Sequence, residues 1–264
     1  MTLLMVWTNK PDDATAINIA ADSLLSDPTR AASVNWPYAT KIHRLHPTRE
    51  YFGYCGDSFV GLSAIAAALA AISNSDHLSE TDGSNTPTIQ ARVKAVHEHL
   101  RHTFPLIPPE WNKSATLILV GYDLRKERFS AWELVLSQAG VADPVEVVLT
   151  SKRVHCFGTT SGAEFKISQL EKTGNLSTAS IVEVLVDVIR DSSVPAVGGA
   201  PQMVMLTKQQ DLPVGFWWPG AGEAETRHLF GVPIRLMSKM DHIKWVTSQF
   251  EDRPYTPFKR VEGQ

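Results

Sequence analysis

The sequence predicts an α+β fold in which two antiparallel sheets lie between two pairs of helices, an αββα sandwich. Three observations carry this. Strand-like runs come first, then two helical stretches, then strands, two more helical stretches and closing strands. Grouped runs of this kind favour antiparallel sheets layered with helices over a strictly alternating α/β fold. The strands are short apolar runs such as Thr2–Trp7 and Thr116–Gly121, bounded by turn residues. The helical stretches split into an alanine-rich segment, Phe59–Ile72, that reads as buried on most sides, and Thr88–His102, with apolar residues at Ile89, Val93, Val96 and Leu100.

Thr2–Trp7 is the first strand. Asn9–Asp13 is a turn punctuated by Pro11 and two aspartates, and Ala16–Ala21 returns as the second arm of a hairpin. Ser26-Asp27-Pro28 and Asn35-Trp36-Pro37 break the next stretch into loop. Lys41–Leu45 and Tyr51–Cys55 are strands joined through His46-Pro47-Thr48. Asp57 or Ser58 caps the first helix. Ser73–Thr86 is polar and reads as a loop, and the prolines from Pro105 to Pro109 stop the second helix. Thr116–Gly121, Phe129–Leu136, Val145–Thr150 and Val154–Phe157 are strands. After the tight Gly158–Gly162 turn come helices over Ser161–Leu170 and Ser177–Arg190. Met203–Thr207 and Val214–Trp218 read as the closing strands. The expected domain spans 1–222. Residues 223–264 form a C-terminal extension with one short helix, Glu223–Leu229.

The 264 residues suffice for a substantial core. Hydrophobic residues make up 43% and charged residues 20%, a globular balance. Net charge is −3, and no basic run or aromatic–basic interleaving points to nucleic acid. Two cysteines, Cys55 and Cys156, stand in no pair spacing, which fits a reducing compartment without a disulfide framework. Leu3–Trp7 is too short for a signal peptide, and Ile65–Ile72 is far too short to span a bilayer. The expectation is a soluble, cytoplasmic protein. His43 and His46, or His97, His99 and His102, lack an accompanying carboxylate pattern, so no metal site is expected. No P-loop, dinucleotide fingerprint or Gly-x-Ser-x-Gly elbow occurs, and no cofactor is expected.

Chemistry is expected at Thr2. A threonine next to an initiator methionine is small enough for methionine aminopeptidase to expose. It then carries a hydroxyl nucleophile and a free α-amine on one residue, and the amine can take the hydroxyl proton.

Several ordered strings give the chain a family likeness. Ala20-Ala21-Asp22-Ser23 ends the second strand, and Thr40-Lys41-Ile42-His43 opens a later one. Phe52-Gly53-Tyr54-Cys55-Gly56-Asp57 leads into the first long helix. Thr160-Ser161-Gly162 precedes the third, and Arg190-Asp191-Ser192 with Gly198-Gly199 follows the fourth. Together, over residues 2–218, they resemble the N-terminal-nucleophile (Ntn) hydrolases, and among these the proteasome β-type subunits, including the bacterial proteasome-like proteins. The chain departs from that pattern in its longer first hairpin, in the six residues between Asp191 and Gly198, and in its tail after Trp218.

The resemblance implies a threonine peptidase or amidohydrolase. Thr2, exposed by loss of Met1, attacks an amide carbonyl. Lys41 lies beside it and lowers the proton affinity of its amine, and Asp22 pairs with Lys41. Gly53 offers an N–H to the oxyanion, and Ser161 and Asp191 bond near the amine. Tyr51 and Cys55 flank the first specificity pocket, where a tyrosine implies a preference for small residues. The family likeness also implies a homo-oligomer larger than a dimer, with apolar surface on Phe59–Ile72 and Phe216-Trp217-Trp218 to cover. It leaves open an unfoldase partner and two alternatives: a catalytically silent ring or scaffold subunit that keeps Met1, and a non-peptidase amidohydrolase on the same fold.

Overall fold

The structure is a computed structural model that describes residues 2–9, 14–26, 35–45, 48–79, 86–108, 114–150, 153–219, 225–234 and 243–253. In chain order the strands are β1 (Leu3–Thr8), β2 (Ala16–Ala21), β3 (Leu25–Ser26), β4 (Asn35–Trp36), β5 (Ile42–Leu45) and β6 (Glu50–Gly56). Helices α1 (Ser58–Ser73), α2 (Asp76–Ser79) and α3 (Ile89–Thr103) follow, then β7 (Ala115–Asp123), β8 (Arg128–Ser137), β9 (Gly140–Val141), β10 (Val145–Val147) and β11 (His155–Gly158). Next come α4 (Ser161–Thr173), α5 (Thr178–Arg190), β12 (Gln202–Thr207), β13 (Asp211–Pro219), β14 (Glu225–Leu229), β15 (Val232–Pro233) and β16 (Lys244–Val246). This is an α+β protein with two large sheets and four long helices.

The first sheet has the order β11-β1-β2-β12-β13-β14-β15, with β16 beside β13. The second runs β10-β8-β7-β6-β5, with β9 beside β8. Among the described residues all ladders, the separate β3–β4 pair included, are antiparallel except β13–β16.

Three apolar clusters explain the sequence pattern. Along β1, Leu3, Met5 and Trp7 pack in one cluster with residues of α4, α5, β12 and β13. Leu4 and Val6, pointing the other way, join residues of β2, β6, β7 and β8. A strand with apolar neighbours on both faces reads as a continuous apolar run, which is why Leu3–Trp7 shows no alternation. On the second sheet, Phe52, Tyr54, Leu117 and Leu119 pack against α1 and α3, while Tyr51, Cys55, Ile118 and Val120 join the cluster of Leu4 and Val6.

Local chemistry sets the helix ends. Asp57 caps α1 by accepting from Val60 N, Thr88 caps α3, and Ser177 with Ser180 makes a capping box on α5. Helix α1 is less enclosed than its composition implies. Phe59, Leu62, Ala66 and Ala70 form an exposed stripe at helical spacing, opposite the buried Val60, Ala64, Ile65 and Ala68.

The structure corrects several expectations. Of the stretch expected as a helix, Glu223–Leu229, the described part, Glu225–Leu229, is strand β14, paired from Gly215↔Leu229 to Pro219↔Glu225. A seven-residue isolated helix is marginal in water, whereas β13 offers an unpaired edge. Two of its three partners, β14 and β16, carry the first sheet into the tail, so Met203–Thr207 and Val214–Trp218 are not the closing strands. Phe216 and Trp218 do not form an exposed apolar end either, because both pack in the cluster of α4 and α5. The polar stretch after Ser73 holds the short helix α2. The turn residues Lys10–Asp13, the loop residues Asp27–Val34, and His46-Pro47 lie outside the described residues. Among the described residues no helix is long and apolar enough to cross a membrane.

Candidate active site

Strand pairing assembles the site at one end of β1. The β1–β2 register sets Leu4 opposite Ala21, so Asp22 emerges beside Leu3 and its N–H donates to Leu3 O at 3.3 Å. The β2–β12 register sets Ala21 opposite Gln202. Lys41 stands one residue before β5, and its carbonyl accepts from Tyr54 N at 3.3 Å.

Asp22 is the hub. Its Oδ1 accepts from Lys41 Nζ at 2.9 Å and from Leu3 N at 3.1 Å, and its Oδ2 accepts from Leu24 N and Gly198 N, both at 3.1 Å. One carboxylate oxygen therefore joins the lysine ammonium to the amide that follows Thr2. Both side chains are 0% exposed. Burial pulls the Lys41 ammonium below the usual lysine pKa, while the charge and hydrogen bond of Asp22 pull the other way.

Gln202 locks the frame. Its Nε2 donates to Asp22 O at 2.9 Å and Ala39 O at 2.7 Å, and its Oε1 accepts from Lys41 N at 2.9 Å. One buried amide thus ties together the backbones that carry the aspartate and the lysine. It was missed in the sequence, where the only signal is a polar residue directly before the apolar run Met203–Leu206.

Thr2 is 1% exposed, and its Oγ1 has no hydrogen-bond partner among the described residues. Thr2 O accepts from Thr159 N at 2.9 Å, and the Thr159 hydroxyl is likewise buried without a partner. Gly158 makes this contact possible. Its φ is +84°, and a Cβ there would overlap Thr2 O and sit 3.0 Å from Cys55 Cβ. Thr2, Cys55, Gly158 and Thr159 thus converge. Burial pushes the Cys55 thiol up to about 11, so it is neutral near pH 7.

The other expected residues are placed differently. Tyr54 N–H bonds Lys41 O, and Asp57 N–H bonds Ser114 O at 2.8 Å. N–H groups alternate sides along an antiparallel strand. Gly53 N–H is therefore turned toward Ile118, its partner on β7. Gly56 N–H, like Tyr54 N–H, points the opposite way, to the side of β6 that carries β5. Tyr51 lies four residues back from Cys55, and its hydroxyl donates to Asp211 Oδ2 at 2.5 Å, with burial raising its pKa. Asp191 is exposed after α5, and its Oδ1 accepts from Ser193 N and Oγ at 2.9 and 2.6 Å. The Ser161 backbone opens α4, and its side chain lies outside what the structure describes.

Neither of two described cavities is lined by Thr2. One of about 410 Å³ lies around Thr8, Phe129 and Lys208, and one of about 250 Å³ lies around Cys156 and Glu164. Thr8 is six residues along β1 from Thr2, about 20 Å at the rise of a strand. Among the described residues no three His, Cys, Asp or Glu side chains are placed to hold a metal ion. No protein-family model matches the chain, and no curated protein matches it.

Proposed function

We propose that the protein is an Ntn hydrolase of the proteasome β type, a threonine peptidase or amidohydrolase acting through Thr2. The observation that carries this is the fully buried Lys41–Asp22 pair, joined through one carboxylate oxygen to the amide next to Thr2, whose hydroxyl has no structural partner. The desolvation of such a pair offsets most of its attraction, and an orphan buried hydroxyl is a further cost. Both fit a nucleophile kept free for reaction. The αββα layering belongs to the same proposal. Its support is that one apolar cluster joins strands of both sheets while the other two pair each sheet with its own helices.

In this mechanism Thr2 stands at the mature N-terminus. Its α-amine takes the hydroxyl proton as Oγ attacks an amide carbonyl. The amine then passes that proton to the leaving nitrogen, and water cleaves the acyl-enzyme. Lys41 favours the neutral amine by adding a positive charge nearby. Gly56 N–H, on the side of β6 that carries β5, is the donor proposed for the developing oxyanion, and Thr159, whose N–H bonds Thr2 O, stands beside the nucleophile. A homo-oligomer is part of this proposal, with the exposed stripe Phe59, Leu62, Ala66 and Ala70 as the surface that a second copy would cover.

The burial of Thr2 favours a second reading, a silent ring or scaffold subunit in which Met1 stays attached. Intact mass and hydrolysis of a peptide-amide panel separate the two. A species beginning at Thr2, with activity lost in Thr2→Ala, supports the hydrolase. An active, well-folded Thr2→Ala protein ends it. An inert wild type that keeps Met1 makes the silent subunit the better account.

A further inference from the structure

We propose that the turn Phe230–Gly231, at the tip of the C-terminal hairpin β14–β15, is a positioning element for the Asp22–Lys41 pair and acts through Ser23. Leu229 pairs with Val232, so the turn has two residues. Both have positive φ, 50° for Phe230 and 75° for Gly231. That is the geometry of a tight hairpin turn, but a bulky residue at its first position is strained. Asparagine or glycine would serve a free hairpin better. This turn is not free. Phe230 packs against the inner apolar cluster, and its carbonyl accepts from Thr40 Oγ1 at 3.5 Å. Gly231 is buried with no room for a side chain: a Cβ there would overlap Ser23 Cβ and come within 3.2 Å of Gln202 Nε2.

The turn therefore bears on three residues, and each is next to the pair. Ser23 follows Asp22, Thr40 precedes Lys41, and Gln202 bonds both backbones. Ser23 transmits the contact because it is fixed on its other sides. Its N–H donates to Gly198 O at 3.0 Å and its carbonyl accepts from Ala39 N at 2.9 Å. Its Oγ donates to Pro37 O at 2.6 Å and accepts from Ala200 N at 2.8 Å. A push on Ser23 moves Asp22 and the Ala39–Lys41 segment together. Residues beyond 222 are thus part of the site's frame. Only the consequence for hydrolysis rests on the function proposed above.

The test compares Gly231→Ala with Gly174→Ala in the full chain. Gly174 ends α4 at φ 71°, and a methyl there meets nothing within 4 Å. It imposes similar backbone strain without the contact. The readouts are the NMR titration of the Lys41 ε-methylene and, on amide substrates, kcat and KM separately. Gly231→Ala is expected to lower the Lys41 midpoint by about one pH unit, as Asp22 is displaced. It should lower kcat about 10²-fold with KM nearly unchanged. Gly174→Ala should move neither. A shifted Lys41 midpoint in a protein inert on amides upholds the positioning role and removes the hydrolase reading. An unshifted midpoint in folded Gly231→Ala overturns the proposal whatever the activity does. If Gly231→Ala does not fold, adding Ser23→Gly clears the overlap and should restore folding. Failure of that double variant, when Ser23→Gly alone folds, overturns it equally.

Discussion

Lys41 depends on Asp22 more than Asp22 depends on Lys41. The carboxylate accepts from three backbone N–H groups besides the ammonium, whereas the Lys41 ammonium has its salt bridge to Asp22 and sits fully out of solvent. Asp22→Asn should therefore destabilise by about 3–5 kcal/mol, because it strands a buried cation. Lys41→Met should cost only about 1–2 kcal/mol, since three charge-assisted hydrogen bonds remain on the carboxylate. Thermal melts of the two single variants and the double variant check this. Equal losses in the two singles would mean that the backbone donors do not stabilise the free carboxylate.

Under the proposed function, Thr2 sets stability against activity. Thr2→Val keeps the shape and removes a buried hydroxyl that has no partner. It should stabilise the protein by about 1 kcal/mol and abolish hydrolysis. Thr2→Ser should keep part of the activity, because hydroxyl and amine both remain. A lower melting temperature for Thr2→Val would show that the hydroxyl is bonded in solution.

Glu50 gives the fold a pH dependence of its own. Its carboxyl is buried, with one oxygen on Arg92 and the other without a partner. Burial outweighs the attraction of Arg92 and raises its pKa from 4.5 to about 7. A folded-state pKa above the unfolded one means that the folded state binds the proton more tightly. This contribution is complete below about pH 4.5 and is lost as pH rises through about 7. Glu50→Gln should therefore gain stability relative to wild type between pH 5 and pH 8. A constant difference across that range would show that Glu50 stays ionised beside Arg92.

Much of this was legible in the sequence, and what was hidden has physical causes. Strands with apolar neighbours on both faces left unbroken apolar runs at Leu3–Trp7 and Thr116–Gly121, so the element order could be read. Asp22 and Lys41 were recognisable because short strings flank them. Spacing alone pointed to Gly53, because it does not carry the phase of the β6 ladder, which turns Gly53 N–H toward Ile118. Thr159 carried no signal of its own in the sequence, because only the register Leu3↔Gly158 brings it to Thr2. The tail misled because Thr226 and His228 are polar and the run is short, so only the open edge of β13 makes it a strand. Gln202 left almost no signal, since its role depends on contacts more than 160 residues away.

Substrate preference should follow Cys55 and not Tyr51. The two were expected to flank one pocket, but only Cys55 meets the Thr2 neighbourhood, through Gly158. Tyr51 is committed to Asp211, whose Oδ2 is also 3.3 Å from Arg44 Nε. Tyr51→Phe should cost about 1–2 kcal/mol by leaving Asp211 one donor short, with relative kcat/KM across small and large P1 residues unchanged. Cys55→Ala should enlarge the space beside Thr2 and raise kcat/KM for bulkier P1 residues, and Cys55→Leu should narrow acceptance to the smallest. The neutral thiol, pushed up to about 11, should alkylate slowly at pH 7, so these effects concern shape and not thiolate chemistry. A fluorogenic amide series differing only at P1 measures all three variants. If Tyr51→Phe changes the preference while Cys55→Ala leaves it as it was, the first pocket lies further along β6, and the nucleophile is not at the Thr2 end of the sheet.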